Sequence, residues 1–466
     1  MNPLPRTLSI GLCAAAILSC ATATPAIDMT AKPDAVRGKE IADMKWGMFV
    51  CWSFSTFYGK EWTPTKDKDA SYFKATGCDT DQWCATAKSA GMGYILFLTK
   101  HHDGFCLWDT ATTEKKVTNS PLRTDVLAAL RKSCDKYGIK LAIYFSEGDW
   151  NWPGAVDGAG GKGGHNPEMK KAQLKELLTQ YGPIEYIWFD HAVGEGGLSH
   201  AETDKWVAQF QPNCLPGYNH GTLAGRIRLG EMGRPSALDD ASGAGFNKRA
   251  AEYKGYIAAE FTYPILPKHQ GGAMWFYSLP KHDNLCLPAE QLYQDYLGAV
   301  KFGNIFSIDV GPDYAGKLRA IDVKTLETVG KYIRGEQKPA LPLPVKTASA
   351  STAWDASHAA AKACDGDASS RWGAAKDSRS GWLELDLGEA KSVSNVVIDE
   401  ADWDRVRKFE IQINDGGTWK SIHSGTRIGG QSKIELQTPA SARCFRLNIT
   451  EATDVPTIMD FQLFGE

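Results

Sequence analysis

From Trp46 to about Gly335, short runs of apolar and β-branched residues alternate with longer segments whose apolar positions recur every three or four residues. Such alternation is the mark of repeated strand–helix units and of a parallel sheet covered on both faces. Eight strands are predicted: Trp46–Cys51, Tyr94–Thr99, Lys140–Phe145, Glu185–Asp190, Cys214–Tyr218, Tyr256–Phe261, Ala273–Ser278 and Asn304–Val310. Eight repeats suggest an α/β domain closed into a (β/α)8, TIM-like barrel over residues 30–336, although an open sheet gives similar local patterns. The helices carry their own punctuation. Ser120-Pro121 predicts a start, with Leu122, Val126, Leu127, Leu130 and Cys134 facing the sheet and Gly138 as the stop. Asn166-Pro167 predicts another, with Leu174, Leu177, Leu178 and Tyr181 turned inward and Gly182-Pro183 closing it.

After Gly335 the pattern changes. The stretch QKPALPLPVK, residues 337–346, is proline-rich and reads as a linker. Beyond it WLELDL, SNVVIDE, KFEIQIN, KIELQ and FRLNI alternate with period two between turn residues. That predicts an all-β jelly-roll sandwich over residues 347–466.

Residues 1–23 hold Arg6, an apolar run from Leu8 to Leu18 and then small residues, the layout of an export signal. Ala21-Thr22-Ala23 fits an ordinary cut, whereas Ile17-Leu18-Ser19-Cys20 resembles a lipobox that would leave Cys20 lipidated. Both routes imply an exported protein: periplasmic, a cell-surface lipoprotein with a lipid anchor, or secreted. No later segment offers the roughly 20 apolar residues of a membrane span.

Charge narrows the partners. With 52 basic against 55 acidic residues, no global field draws the chain to nucleic acid, and a neutral partner fits better. Fifteen tryptophans supply core fillers and flat faces on which sugar rings stack. Setting aside Cys13 and Cys20 leaves 9 of 11 cysteines without C-x-x-C spacing, which suits buried thiols, with one or two disulfides open, better than a disulfide framework or a zinc site.

In a barrel of this type the chemistry sits at the strand C-termini. Here the predicted strands end in Lys100-His101-His102-Asp103, Ser146-Glu147, Asp190-His191 and Asn219-His220. Asp190, closing YIWFD, is the candidate nucleophile. A retaining glycosidase pairs such a carboxylate with a protonated carboxyl roughly 5 Å away, for which Glu231 and Glu260 are the candidates. His101 and His102 offer hydrogen bonds to sugar hydroxyls, both facing the pocket only if the strand has already turned. Metal-ligand spacings such as H-x-H are absent, and the chemistry needs no cofactor.

These motifs resemble glycoside hydrolase family 29, the retaining α-L-fucosidases. KWGMFVCWSFSTFYGKEW is similar to the family's first-strand segment, YILFLTKHHDGFCLWDT to its second, GIKLAIYFSEGDW to its third, YGPIEYIWFD to its nucleophile strand and FGNIFSIDVGPDYAG to its eighth. The resemblance implies Asp190 as nucleophile, and a sugar pocket drawing on His101, His102, Trp188, Cys51, Trp52, Glu61, Trp62 and His191. Family subgroups place the acid/base differently. IAAEFTYPI, with Glu260, resembles the segment after strand six, and RIRLGEMG, with Glu231, the segment after strand five. STFYGKEW and MWFYS favour the second, the subgroup linked to α-1,3/4-fucosyl branches, so Glu231 ranks first. Two departures stand out: Cys51 replaces a fucose-binding His, and His191 replaces a Gly. The expected substrates are fucosylated oligosaccharides and glycoconjugates. The alternatives are a retaining glycosidase of altered sugar specificity, for example for a galactoside, and a catalytically silent glycan-binding surface protein.

ACDGDASSRWGA, WLELDLGEAKSVSNVVI and IMDFQLFGE resemble the coagulation-factor 5/8 type C, discoidin-like fold shared with family 32 carbohydrate-binding modules. The resemblance implies a structural Ca²⁺ at Asp365, Asp367 and Asp460, hard oxygen ligands for a hard cation. Trp354 and Trp403 are candidate stacking platforms.

Overall fold

Strands covered on both faces bury every side chain, and the first unit shows this. In the computed structural model, which describes residues 24–465 apart from 66, 159–161, 340, 368–369 and 431, eight parallel strands make one sheet. They are β1 (Trp46–Val50), β2 (Tyr94–Lys100), β3 (Lys140–Ser146), β4 (Tyr186–Asp190), β5 (Leu215–Tyr218), β6 (Ile227–Arg228), β7 (Ala258–Pro264) and β8 (Ile305–Val310). All residues of β1, β2, β4, β5, β6 and β8 are buried. The order β5-β4-β3-β2-β1-β8-β7-β6 makes a nearly closed TIM-like barrel. Its seam lies between β5 and β6, where Gly217 of β5 bridges to Gly225, just before β6, and no ladder joins the two strands. Gly217 permits that approach, because a Cβ there would come within 2.8–2.9 Å of the Ile227 and Leu229 side chains. The export signal and Cys20 lie outside the described residues.

Two predicted strands are misplaced. The segment Tyr256–Phe261 contributes to β7, not to the sixth strand, and β6 is the two-residue Ile227–Arg228. Residues 273–278 form a loop. They look strand-like because Ala273 and Phe276 are buried, but they pack on the core without a ladder. A two-residue strand shows no period, so pattern alone passes over it.

Helix starts follow the best available cap. The helix Val126–Tyr137 begins at Asp125, whose carboxylate accepts the Ala128 N–H, several residues after Ser120-Pro121. Ser120 instead closes a turn on the Val117 carbonyl. Gly138, at φ +68°, ends that helix, as the sequence indicates. Asn166 caps the helix Pro167–Gln180 through the Met169 N–H.

The second unit begins at Lys338. Its strands are β9 (Thr347–Ala350), β10 (Trp372–Gly373), β11 (Gly381–Asp399), β12 (Val406–Asp415), β13 (Thr418–Gly425), β14 (Ser432–Ala452), β15 (Thr457–Ile458) and β16 (Asp460–Phe464). An antiparallel sheet of order β13-β12-β14-β11-β16, joined by β9, carries a separate core around Leu385, Ile411, Phe445 and Leu447. β10 pairs with β15. Part of the expected linker is strapped to this unit: the Leu343 N–H donates to the Leu463 carbonyl and the Lys346 N–H to that of Asp386. Nine described cysteines are free thiols, and among the described residues no helix is long and apolar enough to cross a membrane.

Candidate active site

The strand C-termini converge on a cleft of about 550 Å³ lined by Cys51, Glu61, Trp62, His101, His102, Tyr144, Trp188, Asp190, His191, Asn219, His220 and Glu231, with Phe49, Leu98, Trp275 and Phe276 as apolar walls. Both adjacent histidines reach it because β2 ends in a turn through Gly104, at φ +70°. His102 Nδ1 lies 2.6 Å from Ser146 Oγ, and its Nε2 lies 3.7 Å from Asp190 Oδ2. Buried polar atoms normally have partners, yet His101 Nδ1 and Trp188 Nε1 have none. Both belong to residues lining the cleft, where a hydroxyl-rich ligand would satisfy them.

Asp190 is held from every side. Its Oδ2 accepts from Tyr144 Oη at 2.6 Å, and its Oδ1 accepts from Asn219 Nδ2 at 2.9 Å and the His191 N–H at 2.8 Å, with His220 Nε2 at 2.9 Å. Burial works to raise its pKa, but the hydrogen bond and charge of His220, with His102 and His191, outweigh it and hold the carboxyl well below its usual range. Glu231 lies across the cleft. Asn219 Nδ2 also donates to its Oε2 at 2.8 Å. Burial and the Asp190 charge push Glu231 up to about 7, against the pull of Asn219 and His220. Two carboxyl groups whose oxygens lie within 4.8 Å of each other are thus set to opposite protonation states. Asn219 is itself fixed, its Oδ1 accepting from Asn247 Nδ2 at 2.5 Å.

Glu260 and Trp52 lie elsewhere. Glu260 sits inside β7, fully buried, and burial pushes it up to about 8 against the pull of Ser307 and the Gly230 N–H. Glu231 follows β6, bridged to Thr262 of β7. Trp52 is core: its Nε1 donates to the Asp313 carbonyl and its ring meets Phe73 and Trp83 edge-on. Glu61 lines the cleft while its carboxylate accepts the Met274 and Trp275 N–H groups, anchoring the loop that carries Trp275 and Phe276. Cys51 sets its thiol against the Asp309 carboxyl, and burial pushes that thiol far up. Tyr144 and Asn219 had no assigned role from the sequence. Tyr144 hides in an apolar run, whereas Asn219 directly follows β5 and is among the polar strand ends that the sequence singles out, without a role attached to it.

Asp190, His220 and Glu231 are the described residues that could meet on a metal ion. Asn219 donates to both carboxylates and His220 sits as a donor to Asp190, so the set is arranged as a hydrogen-bonded acid–base pair rather than as ligands. In the second unit Asp365 accepts from Ser370 Oγ and the Asp367 N–H, and Asp460 accepts from Gln462 Nε2. Among the described residues, Asp365, Asp367 and Asp460 form no common ligand group.

Comparison with known proteins gives this arrangement a family. Alpha-L-fucosidase 1 of Arabidopsis thaliana is 26% identical over 441 residues, covering 90% of this chain and 84% of that protein. An alpha-L-fucosidase of Dictyostelium discoideum is 30% identical over 264 residues, 55% of this chain and 54% of that one. Among solved structures, a glycoside hydrolase family 29 fucosidase of Ruminococcus gnavus in complex with fucose aligns over 96% of this chain and 97% of its own, with TM-score 0.52 and 19% identity. At that identity the likeness speaks for the fold alone. Residues 347–461 match the F5/8 type C domain. Residues 28–338, the barrel with its cleft, match the Alpha-L-fucosidase family of glycoside hydrolases, and the chain belongs to that family.

Proposed function

We propose that the chain is an exported, retaining exo-glycosidase that releases L-fucose from oligosaccharides or glycoconjugates by double displacement. One observation carries the mechanism: an ionised Asp190 and a protonated Glu231 with oxygens within 4.8 Å. That closeness suits covalent capture better than inversion, for which the two carboxyl groups stand roughly 6.5–9.5 Å apart. Asp190 attacks the anomeric carbon while Glu231 protonates the departing oxygen. Glu231 then takes a proton from the water that cleaves the ester. His101, His102 and Trp188 hold the sugar. Export rests on residues 1–23, and calcium at Asp365, Asp367 and Asp460 is part of the same reading.

A second reading has one observation behind it. Cys51 faces Asp309 at the cleft and is a poor hydrogen-bond partner for a sugar hydroxyl, which favours a shift in sugar preference. Incubation with fucosylated and galactosylated oligosaccharides, followed by identification of the released monosaccharide and its first-formed anomer, decides between the two. Release of fucose with retained configuration supports the proposal. Inverted configuration, or no turnover of any member, defeats it.

A further inference from the structure

His220 lies just beyond β5 in the left-handed region, at φ +71°. Its Nε2 is 2.9 Å from Asp190 Oδ1 and 4.0 Å from Glu231 Oε2. Asn219 bridges the same two carboxyl groups with a neutral amide, so the pair has one neutral and one ionisable bridge. The other groups facing His220 are His191, edge-on at 5.0 Å, and His102 beyond it, stacked on His191 at 3.9 Å. Burial pushes both of those imidazoles towards the neutral form. His220 feels the same burial, but its contact with Asp190 and the nearby Glu231 raise it to about 9. Three imidazoles thus crowd one side of Asp190, and the positive charge settles on the one that contacts Asp190 and lies within 4.0 Å of Glu231.

Double displacement moves the negative charge of the site. In the first step an Asp190 oxygen bonds to the anomeric carbon, and the glycosidic C–O bond breaks with its electron pair going to the leaving oxygen, which takes the Glu231 proton. Asp190 is now a neutral ester and Glu231 a carboxylate. In the second step water bonds to the anomeric carbon and gives a proton to Glu231, and the ester electron pair returns to Asp190. A cation in contact with Asp190 alone would be stranded in the intermediate. We propose that His220 is the shared countercharge of the two carboxyl groups, pairing with Asp190 in the resting enzyme and with Glu231 once Asp190 is esterified. It keeps its proton throughout and acts as a positioning residue, not as a proton donor.

The inference rests on the assignment of Asp190 and Glu231 made above. Its test is the pH profile of His220→Gln on an aryl α-L-fucoside with a nitrophenolate leaving group. For the unaltered enzyme, the acidic limb of kcat/KM reports the Asp190 ionisation and the basic limb that of Glu231, near pH 7. Removing the cation raises both pKa values, so both limbs move to higher pH by about one unit. Because Glu231 also loses its partner in the second step, kcat falls by about tenfold or more. Should Gln fail to fold at this backbone position, Asn, which tolerates it, gives the same test. A rate loss with both limbs unmoved reduces His220 to a structural residue and overturns the inference. Asp190→Ala assayed with azide separates the two levels. If it loses turnover and azide restores it while the His220→Gln limbs stay put, only the His220 inference fails. If Asp190→Ala keeps its turnover, the assignment beneath it fails as well.

Discussion

The two units of this chain spend their interiors differently. The barrel buries ionisable groups: Lys100 with Asp149, Glu147 with Lys170, Arg319 with Asp322, and Glu260. Among the described residues of the sandwich, the buried polar ones are Glu400 and Thr457 beside an apolar core, and ion pairs such as Arg443 with Asp386 reach solvent. Buried charges cost desolvation that their pairing only partly repays. The barrel accepts that cost around a cleft where shifted proton affinities are useful, whereas the sandwich core is built for packing. Substitutions at the cleft should therefore act on turnover, and substitutions in the sandwich core on stability alone.

Asp190→Ala is the sharpest test of that division. Turnover of an aryl α-L-fucoside should drop by about 10⁴-fold or more, with azide restoring part of it and the thermal unfolding profile little changed. Phe445→Ala in the sandwich should do the reverse. Phe445 is fully buried, and its loss should cost the sandwich unfolding transition about 3–5 kcal/mol while aryl fucoside turnover is unaltered. A matching loss of turnover would break the comparison.

Glu260→Gln probes a charge buried without use. Its folded pKa, about 8, exceeds the ordinary 4.5, so the folded protein binds the proton more tightly than the unfolded chain does. Stability contributed by this group is therefore complete below pH 4.5 and is lost as pH rises through about 8. Gln, neutral at every pH, should stabilise the barrel by about 1–3 kcal/mol at pH 7–8, flatten that slope and spare turnover. Loss of turnover would return Glu260 to the acid/base role. The smallest effect is expected in the sandwich, where chelation of the proposed calcium should lower its unfolding free energy by about 1 kcal/mol. No change on chelation would remove the ion from Asp365, Asp367 and Asp460.

Legibility followed the same division. Three sandwich strands, β11, β12 and β14, were plain because period two persists along them, although the sequence divides β11 and β14 into two pieces each and passes over β13 and the shorter strands. In the barrel the first four strands and the eighth were plain as well. β6 was not, since two residues carry no period, and the loop 273–278 imitates a strand because its apolar residues face the core and the cleft. Trp52 shows the limit of motif reading, lying beside Cys51 in sequence but turned into the core.

By itself the sequence determined which residue types end the barrel strands, and with them the family and the nucleophile candidate. These are local matters, set by apolar runs and the polar residue that follows each. The tertiary structure decided that Glu231 rather than Glu260 shares a cleft with Asp190, and that Tyr144, Asn219 and His220 surround the pair. Their proton affinities arise from burial and from neighbours distant in the chain, and only folding brings those together.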